Sequence, residues 1–210
     1  MTADMSVAGS SGDAWAWLVR HPRPVAARGL CYGRLDVAVQ PASTARIAEK
    51  LSACLPEGLT LSSSPRQRCL ILAEQLQVLR PDIRVLPPQD WLAEMDLGAW
   101  EGNLWADIPA AELGAWTDDF GHYRAGGTGE SMADFLARIA AGLRAQAVTP
   151  SPQVWITHAG VIRAVHWLLQ PMGLSRLPTA QEWPGTKIDF GEICLLTDRH
   201  RSMLQQDGRH

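Results

Sequence analysis

The chain has 210 residues, a formal net charge of −3 and 46% hydrophobic residues, which suits one globular domain with a sizeable core. The slightly negative charge argues against an electrostatic nucleic-acid binder, so any anion site must be local. The four cysteines form no C-x-x-C pair or zinc spacing, and no apolar run approaches the roughly twenty residues of a membrane span. Residues 1–13 lack the features of a signal peptide. We therefore expect a cytoplasmic protein with a flexible tail at 1–13 and no membrane or nucleic-acid partner.

Strand and helix patterns alternate in the first part of the chain. The apolar run at 14–19 predicts a buried strand. It ends at Arg20 and His21, because the prolines that follow cannot continue ladder pairing. The further elements predicted here are a helix at 42–55 with Ser43 as its N-cap, a strand at 59–63, a helix at 66–79 and a strand at 83–86.

The second part opens with an irregular, tryptophan-rich segment at 89–129. We predict a short helix at 110–116 within it and interpret the segment as a lid-like insertion over one end of the sheet. Ser131 opens a strong helix, and Asp134 completes a capping box. The remaining predictions are a strand at 154–157, a helix at 161–170, a strand region through Ile188, Phe190 and Ile193 with a bulge at Gly191, and a polar, frayed tail at 199–210. This alternation predicts a single α/β domain at 14–198 with a mostly parallel sheet.

Three of the predicted strand-to-helix junctions carry unusual polar residues. Arg20 and His21 stand at the first, Arg66 and Arg68 begin the helix at the second, and His158 follows the strand at the third. Because the carboxyl ends of parallel strands meet at one edge of a sheet, these side chains can converge there. Arginines in the first turn of a helix oppose its dipole, which favours an anion beside them. For each junction taken alone, a purely structural side chain is the alternative.

These residue types indicate phosphoryl chemistry. Arginine forks match phosphate oxygens, and a neutral imidazole can attack phosphorus and hold the group covalently. An acid is then needed to protonate the leaving oxygen. Glu94 is the candidate, Asp96 and Glu101 compete for the role, and a solvated loop carboxylate is the alternative for each of the three.

Five short motifs follow one another along the chain. An Arg-His pair ends the first strand, Ser-x-x-x-Arg spans 64–68, Glu-x-x-x-Gly-x-Trp-Glu-Gly spans 94–102, Gly-Glu-Ser stands at 129–131 and Thr-His-x-Gly at 157–160. In type and order they resemble the motifs of the histidine phosphatase superfamily, which includes phosphoglycerate mutases and α-ribazole phosphatases, and the resemblance covers about 15–196. The resemblance implies a phosphoglycerate mutase-like fold, a three-layer α/β/α sandwich. It also implies that no metal or cofactor is needed, because arginines carry the phosphate charge.

The resemblance further implies a role for each matched residue. His21 is the nucleophile that becomes phosphohistidine. Arg20, Arg68 and His158 hold the phosphoryl oxygens, and His158 also counts among the catalytic residues. Glu94 gives a proton to the leaving alkoxide and then takes one from the attacking water. The partner so implied is a phosphorylated small molecule.

Two departures from the family pattern concern the phosphate site. Pro22 replaces a glycine, but it keeps a carbonyl that can orient the His21 ring through its non-attacking nitrogen. An asparagine that many relatives carry beyond the nucleophile is missing near 26–27. One phosphate contact is therefore lost or supplied by another side chain, unless the nearby arginines are only solvated loop charges. The candidates are Arg23, Arg28 and Arg34.

The short first loop and the compact Glu94 segment look closest to α-ribazole phosphatase, which removes a 5′-phosphate late in cobalamin assembly. The flat base of that substrate would stack on an aromatic side chain, unless these residues only pack the lid. The candidates are Tyr32, Trp100, Trp105 and Trp116. A phosphoglycerate-type mutase and a non-catalytic anion-binding protein are the alternatives, the latter because of Pro22 and the missing asparagine. The sequence does not fix the oligomeric state, for which a homodimer is one option.

Overall fold

The computed structural model describes residues 13–207, in which five strands form one sheet of order β3-β2-β4-β1-β5. The strands are β1 (Ala14–Arg20), β2 (Thr60–Ser63), β3 (Arg84–Val85), β4 (Gln153–Thr157) and β5 (Ile193–Thr197). The first four run parallel to one another, and β5 pairs antiparallel with β1 at the sheet edge. The predicted mostly parallel sheet is confirmed. All of the predicted N-terminal tail except Asp13 lies outside the described residues.

Helices cover both faces of the sheet, as the alternating side chains of β1 require. Trp17 and Val19 point into the core that includes the first two helices, whereas Ala16 and Leu18 point into the opposite core. The α-helices of the described residues are α1 (Pro41–Cys54), α2 (Gln67–Leu79), α3 (Ala110–Asp118), α4 (Met132–Ala147), α5 (Ala159–Leu168) and α6 (Asp198–Asp207). The result is the expected three-layer α/β/α sandwich.

Two helix starts show how capping follows from the sequence. Before α4, the Ser131 hydroxyl accepts from the Asp134 N–H and the Asp134 carboxylate accepts from the Ser131 N–H, so the predicted capping box is confirmed. The prediction of Ser43 as an N-cap is wrong. Helix α1 begins at Pro41, whose fixed φ suits the first helical position, and the Ser43 hydroxyl accepts instead from the Arg23 N–H at 3.2 Å.

The end of the chain differs from its prediction in two places. Ile188 and Phe190 are not in a strand, because Gly191 adopts φ +74° in a turn and donates its N–H to the Arg20 carbonyl. The prediction of a frayed tail is also wrong for the part that the structure describes, because 198–207 form α6. Leu204 of this helix is fully buried, and the Arg201 guanidinium donates to the carbonyl of Ala147, the last residue of α4. Leu204 and Arg201 therefore both help to hold this polar helix against the domain, together with a bond from the Gln205 amide to the same carbonyl.

Within residues 13–207, no helix combines the length and the apolar character that crossing a membrane requires.

Candidate active site

The parallel register brings the three polar junctions to one edge of the sheet. In the pairing of β1 with β4, Arg20 lies beside Thr157. The His21 N–H donates to the Thr157 carbonyl at 2.9 Å, and the Ser64 N–H donates to the Ile156 carbonyl at 2.9 Å. The residues that follow β1, β2 and β4 are thus adjacent in space, as the sequence predicts.

A cavity of about 460 Å³ opens at this edge, and the main polar residues expected from the sequence line it. These are Arg20, His21, Arg68, Glu94 and His158. The two imidazole rings lie close together, with 5.1 Å between their centroids. Together with Arg163, the cavity therefore gathers two imidazoles, three guanidiniums and one carboxylate around a common space.

The His21 ring is held in one tautomer by the residue that departs from the family pattern. Its Nδ1 lies 2.7 Å from the Pro22 carbonyl oxygen, which can only accept, so Nδ1 carries the proton. The other nitrogen, Nε2, then bears a free lone pair. Burial, and next the charge of Arg68, hold the pKa of His21 well below its ordinary value, against the opposing effect of the Pro22 bond. His21 is therefore a neutral imidazole with an available nucleophilic nitrogen.

The His158 ring has the opposite tautomer, because both of its nitrogens already have partners. The Arg68 Nε–H donates to His158 Nδ1 at 3.2 Å, so the ring proton lies on Nε2, which contacts Ser64 Oγ at 2.8 Å. Burial, and next the charge of Arg68, hold the pKa of His158 well below its ordinary value. Ser64, His158 and Arg68 thus form one buried chain of hydrogen bonds.

These two neutral imidazoles should make folding stability depend on pH. The unfolded chain binds protons on both histidines near pH 6.5 while the folded chain does not, so stability is lost as the pH falls below that value. From pH 7 to 5.5 we expect a loss of about 1.2 kcal/mol in the free energy of unfolding for each ring. Urea titrations at both pH values measure it, and His21→Gln should reduce the total loss by about 1.2 kcal/mol, the contribution of one ring. An unchanged loss in this variant would contradict the assignment of a neutral, buried His21.

The Arg68 guanidinium is fully buried and anchored on two sides. Besides its bond to His158, it donates to the carbonyls of Gly33 at 2.6 Å and Leu35 at 2.7 Å. Burial lowers its pKa, although the group stays cationic at any working pH. Three of its five N–H donors are used in this way, which leaves two for a ligand in the cavity.

The Arg20 guanidinium lies over an aromatic ring beside the cavity. Its central carbon is 3.9 Å from the centroid of the Phe190 ring, and one terminal nitrogen donates to the Ile188 carbonyl at 2.5 Å. Its Nε–H is buried and has no hydrogen-bond partner among residues 13–207. The Gly191 turn that differs from the predicted bulge therefore has a function in the site, because it places Phe190 under this arginine.

The Glu94 carboxylate enters the cavity from the irregular segment and is held by backbone donors. The Gly160 N–H donates to Oε2 at 3.0 Å, and the Met95 N–H donates to Oε1 at 3.1 Å. Gly160 stands in the first turn of α5, where helix N–H groups favour an anion. A Cβ at this position would lie 2.1 Å from Glu94 Oε1, so only glycine permits so close an approach.

The two competing carboxylates are used elsewhere and do not line the cavity. Glu101 accepts from the backbone N–H groups of Arg34 at 2.8 Å and Leu97 at 2.9 Å, and so fastens two loops to each other. Asp96 accepts from the Gly98 N–H at 2.9 Å. Of the three candidates, only Glu94 has the position of a general acid.

The sequence predicts an anion beside the start of α2, and the protein supplies one of its own there, the Asp36 carboxylate. The Asp36 carboxylate accepts from the Gln67 N–H at 2.8 Å, which satisfies a free donor of the first turn. Arg66 turns outward and donates to the Arg34 carbonyl at 2.8 Å, while Arg68 turns into the cavity. The two arginines that look equivalent in the sequence therefore differ in role.

The candidate substrate-binding residues separate into three groups. Tyr32 lines the cavity, and Arg23 and Arg28 line an adjoining cleft of about 400 Å³ that Tyr32 shares. Arg34 does not reach the cavity, because Glu130 binds its guanidinium at 3.4 Å. Trp100 is also buried away from it, with its indole N–H donating to Glu112 at 2.7 Å. The substrate contacts predicted for Arg34 and Trp100 are therefore replaced by structural ones.

An aromatic wall, formed mostly by the insertion, lines one side of the cavity. The sequence indicates only two of its residues, Trp105 and Trp116. The wall consists of Trp105, Trp116, Phe120 and Trp183. Trp105 and Trp116 are nearly parallel, with ring centroids 6.3 Å apart and planes 18° apart. Phe120, Trp183 and Arg163 were not predicted to be in the site. The only usable signal was for Arg163, which lies one helical turn after the Thr-His-x-Gly motif in α5.

Comparison with known proteins gives a consistent result. Residues 16–187 match the model of the histidine phosphatase superfamily (branch 1). A crystal structure of phosphoglycerate mutase from Thermus thermophilus is 30% identical, covers 78% of this chain and 88% of its own, and superposes with a TM-score of 0.58. A mycobacterial glucosyl-3-phosphoglycerate phosphatase is 26% identical, with 75% of this chain and 81% of its own covered and a TM-score of 0.60.

The α-ribazole phosphatase from Shigella flexneri shares the fold at 21% identity, with 87% of this chain and 94% of that chain covered and a TM-score of 0.65. A search of curated protein sequences finds no match. The family match spans nearly all of the four parallel strands, the insertion and all the polar residues that line the cavity, and it ends before β5. The chain therefore belongs to the histidine phosphatase superfamily, branch 1.

Proposed function

We propose that this protein is a phosphomonoesterase that works through a phosphohistidine at His21. The observation that carries the proposal is the bond from Nδ1 to the Pro22 carbonyl, because it leaves Nε2 unprotonated. His21 lines a cavity that is also lined by Arg20, Arg68 and Glu94. Phosphoryl transfer requires such positioning and charge stabilisation more than covalent help from many residues.

The reaction proceeds in two displacements. His21 Nε2 forms a bond to phosphorus as the bond to the ester oxygen breaks, and Glu94 gives its proton to that leaving oxygen. A water molecule then attacks the phosphohistidine and passes a proton to Glu94, which releases inorganic phosphate and restores the free imidazole. The positive charges of Arg20 and Arg68 stabilise the phosphoryl oxygens in both steps.

His158 serves this reaction chiefly by fixing Arg68. Its Nδ1 already accepts from Arg68 and its Nε2 already contacts Ser64. A direct bond from His158 to a phosphoryl oxygen requires its Nε2–H to turn from Ser64 to the ligand, while the bond from Arg68 to Nδ1 can stay in place. The ring therefore combines the two roles expected of it, phosphate binding and catalysis, through the orientation of Arg68.

The aromatic wall favours an ester with a flat group beyond the phosphate. Trp105, Trp116 and Trp183 offer ring faces or edges to such a group, and stacking of this kind contributes about 0.5–1.5 kcal/mol beyond the area buried. We take α-ribazole 5′-phosphate, with its benzimidazole, as the candidate natural substrate. This choice of substrate rests on the aromatic wall, and with it we propose that the enzyme acts in cobalamin assembly.

A phosphoglycerate-type mutase is the second candidate, because of the 30% identity to the Thermus thermophilus enzyme. A mutase must bind a second phosphate and keep water from its phosphohistidine. Among the described residues, the one arginine that lines the cavity besides Arg20 and Arg68 is Arg163, so it is the candidate for binding a second phosphate. Its guanidinium already donates to the Thr186 carbonyl at 3.1 Å. The aromatic character of the remaining wall favours the phosphatase.

A matched pair of esters tests the aromatic specificity. We expect α-ribazole 5′-phosphate to be hydrolysed faster than ribose 5-phosphate, which has the same leaving alkoxide but no base. Trp116→Leu should lower kcat/KM for the first ester by about 3- to 10-fold and leave the second unchanged. The control is Tyr123→Leu, which removes an aromatic ring that stacks on Trp100 outside the cavity. Phosphate release measures all rates.

Equal rates for the two esters in the parent protein would contradict the assignment of an aromatic substrate while leaving the phosphatase intact. Conversion of 3-phosphoglycerate to 2-phosphoglycerate without phosphate release would instead establish the mutase.

A further inference from the structure

Arg138 of α4 lies behind the segment that carries Glu94 and donates to a row of its carbonyl oxygens. One terminal nitrogen donates to the carbonyls of Asp90 at 2.9 Å, Trp91 at 3.1 Å and Ala93 at 3.0 Å. The other terminal nitrogen donates to the Glu94 carbonyl at 3.4 Å. A single guanidinium thus contacts four carbonyls of a segment that lacks a sheet ladder.

The charge of Arg138 is balanced by Glu130 through a bidentate pair. Arg138 Nε donates to one carboxylate oxygen at 2.8 Å and a terminal nitrogen donates to the other at 2.8 Å. Glu130 also accepts from the Asp96 N–H at 2.9 Å. The side chains of Arg138 and Glu130 are only 17% and 14% exposed, so the pair is well shielded from solvent. The backbone is therefore fastened on both sides of Glu94.

The position of this backbone segment matters because the Glu94 carboxylate fits closely against Gly160. It occupies the space in which a Cβ on Gly160 would lie, and its Oε2 accepts from the Gly160 N–H. A shift of the supporting backbone by about 1 Å would displace the carboxyl group from any leaving oxygen, and misplacement of that size can cost about 100-fold in rate. Arg138 does not line the cavity, so it cannot contact the substrate directly.

We propose that Arg138, paired with Glu130, is a positioning residue that fixes Glu94 for proton transfer to the leaving group. The inference rests on the proposed function, in which Glu94 is the general acid. Its signature is a loss of rate that depends on the leaving group. Esters with a poor leaving group need the proton, whereas those with a good leaving group do not.

The test compares Arg138→Lys with the parent on two aromatic esters, benzyl phosphate and p-nitrophenyl phosphate. Lysine keeps the charge but lacks the planar fork that spans Glu130 and the carbonyl row. We expect kcat/KM for benzyl phosphate to fall by about 10- to 100-fold and that for p-nitrophenyl phosphate by less than about 3-fold. In the Glu94→Gln background, Arg138→Lys should add no further selectivity, because the acid that it positions is absent.

Two controls separate positioning from a general loss of stability. Arg124→Met breaks the exposed pair with Asp134 at the start of the same helix and should leave both rates unchanged. Glu130→Gln removes one arm of the bidentate pair and should reproduce the selectivity of Arg138→Lys, which keeps the test available should that variant fold poorly. Thermal melts followed by circular dichroism check each variant.

Selectivity in Glu94→Gln but neither in Arg138→Lys nor in Glu130→Gln would overturn the positioning role alone. Equal losses on both esters in the Arg138 variant would also overturn it, since that pattern indicates general damage. Absence of selectivity in Glu94→Gln itself would overturn the general acid of the proposed function and this inference with it.

Discussion

His21→Ala should abolish phosphate release, with a loss in kcat of at least about 10⁴-fold, the scale seen when a nucleophile is removed. The reason is that two imidazoles line the cavity among the described residues, and only His21 has an unprotonated nitrogen without a protein partner. Both nitrogens of His158 already have partners. Steady-state phosphate release from an alkyl ester measures the effect. Rapid mixing with excess ester, followed by a quench in base, should trap an acid-labile phosphoprotein in the parent and none in the variant.

The matched control is His122→Ala, because His122 is exposed and does not line the cavity. This variant should keep full activity and the trapped phosphoprotein. Turnover of His21→Ala within about tenfold of the parent would place the chemistry at another group. Absence of turnover in the parent on every ester tried would favour the non-catalytic anion-binding alternative.

Glu94→Gln should slow esters with poor leaving groups by about 10²- to 10³-fold, the usual contribution of a general acid. An alkoxide is a strong base and departs slowly without a proton, whereas p-nitrophenolate departs readily. The loss on p-nitrophenyl phosphate should therefore stay below about tenfold. Glutamine keeps the size of the side chain and an oxygen to accept from the Gly160 N–H, but its amide nitrogen cannot accept from the Met95 N–H, so the variant removes the acidic proton together with one weak backbone contact.

Asp96→Asn is the control for this second variant, because it makes the same carboxylate-to-amide change outside the cavity. Asparagine retains an oxygen to accept from the Gly98 N–H, so both esters should keep nearly their parent rates. Equal loss on alkyl and aryl esters in Glu94→Gln would contradict its role as the acid.

Pro22 shows how a departure from a family pattern can leave the chemistry intact. The residue lacks an N–H, but the His21 ring needs only a carbonyl at this point, and Pro22 supplies it. The missing asparagine near 26–27 is a different case. Arg23 and Arg28 lie beside an adjoining cleft, whereas Arg20 lines the phosphate cavity itself and has a buried Nε–H without a hydrogen-bond partner among residues 13–207.

The aromatic residues illustrate where local patterns fail. Trp100 and Trp116 look alike in the sequence, yet one is buried in packing and the other lines the cavity. Their difference depends on how the insertion folds against α5 and the 178–192 region, which no periodicity encodes. The same holds for Phe190, whose place under Arg20 depends on the positive φ of Gly191.

The order of strands and helices, the convergence of His21, Arg68 and His158, and the family were all determined by the sequence itself. The reason is that buried strands show as apolar runs and parallel strands deliver their carboxyl ends to one edge. Which tautomer His158 adopts, which aromatic residues line the cavity and how Arg138 supports Glu94 were decided only by the tertiary structure. These features depend on contacts between side chains and backbone groups tens of residues apart, and such contacts leave no local trace in the order of the amino acids.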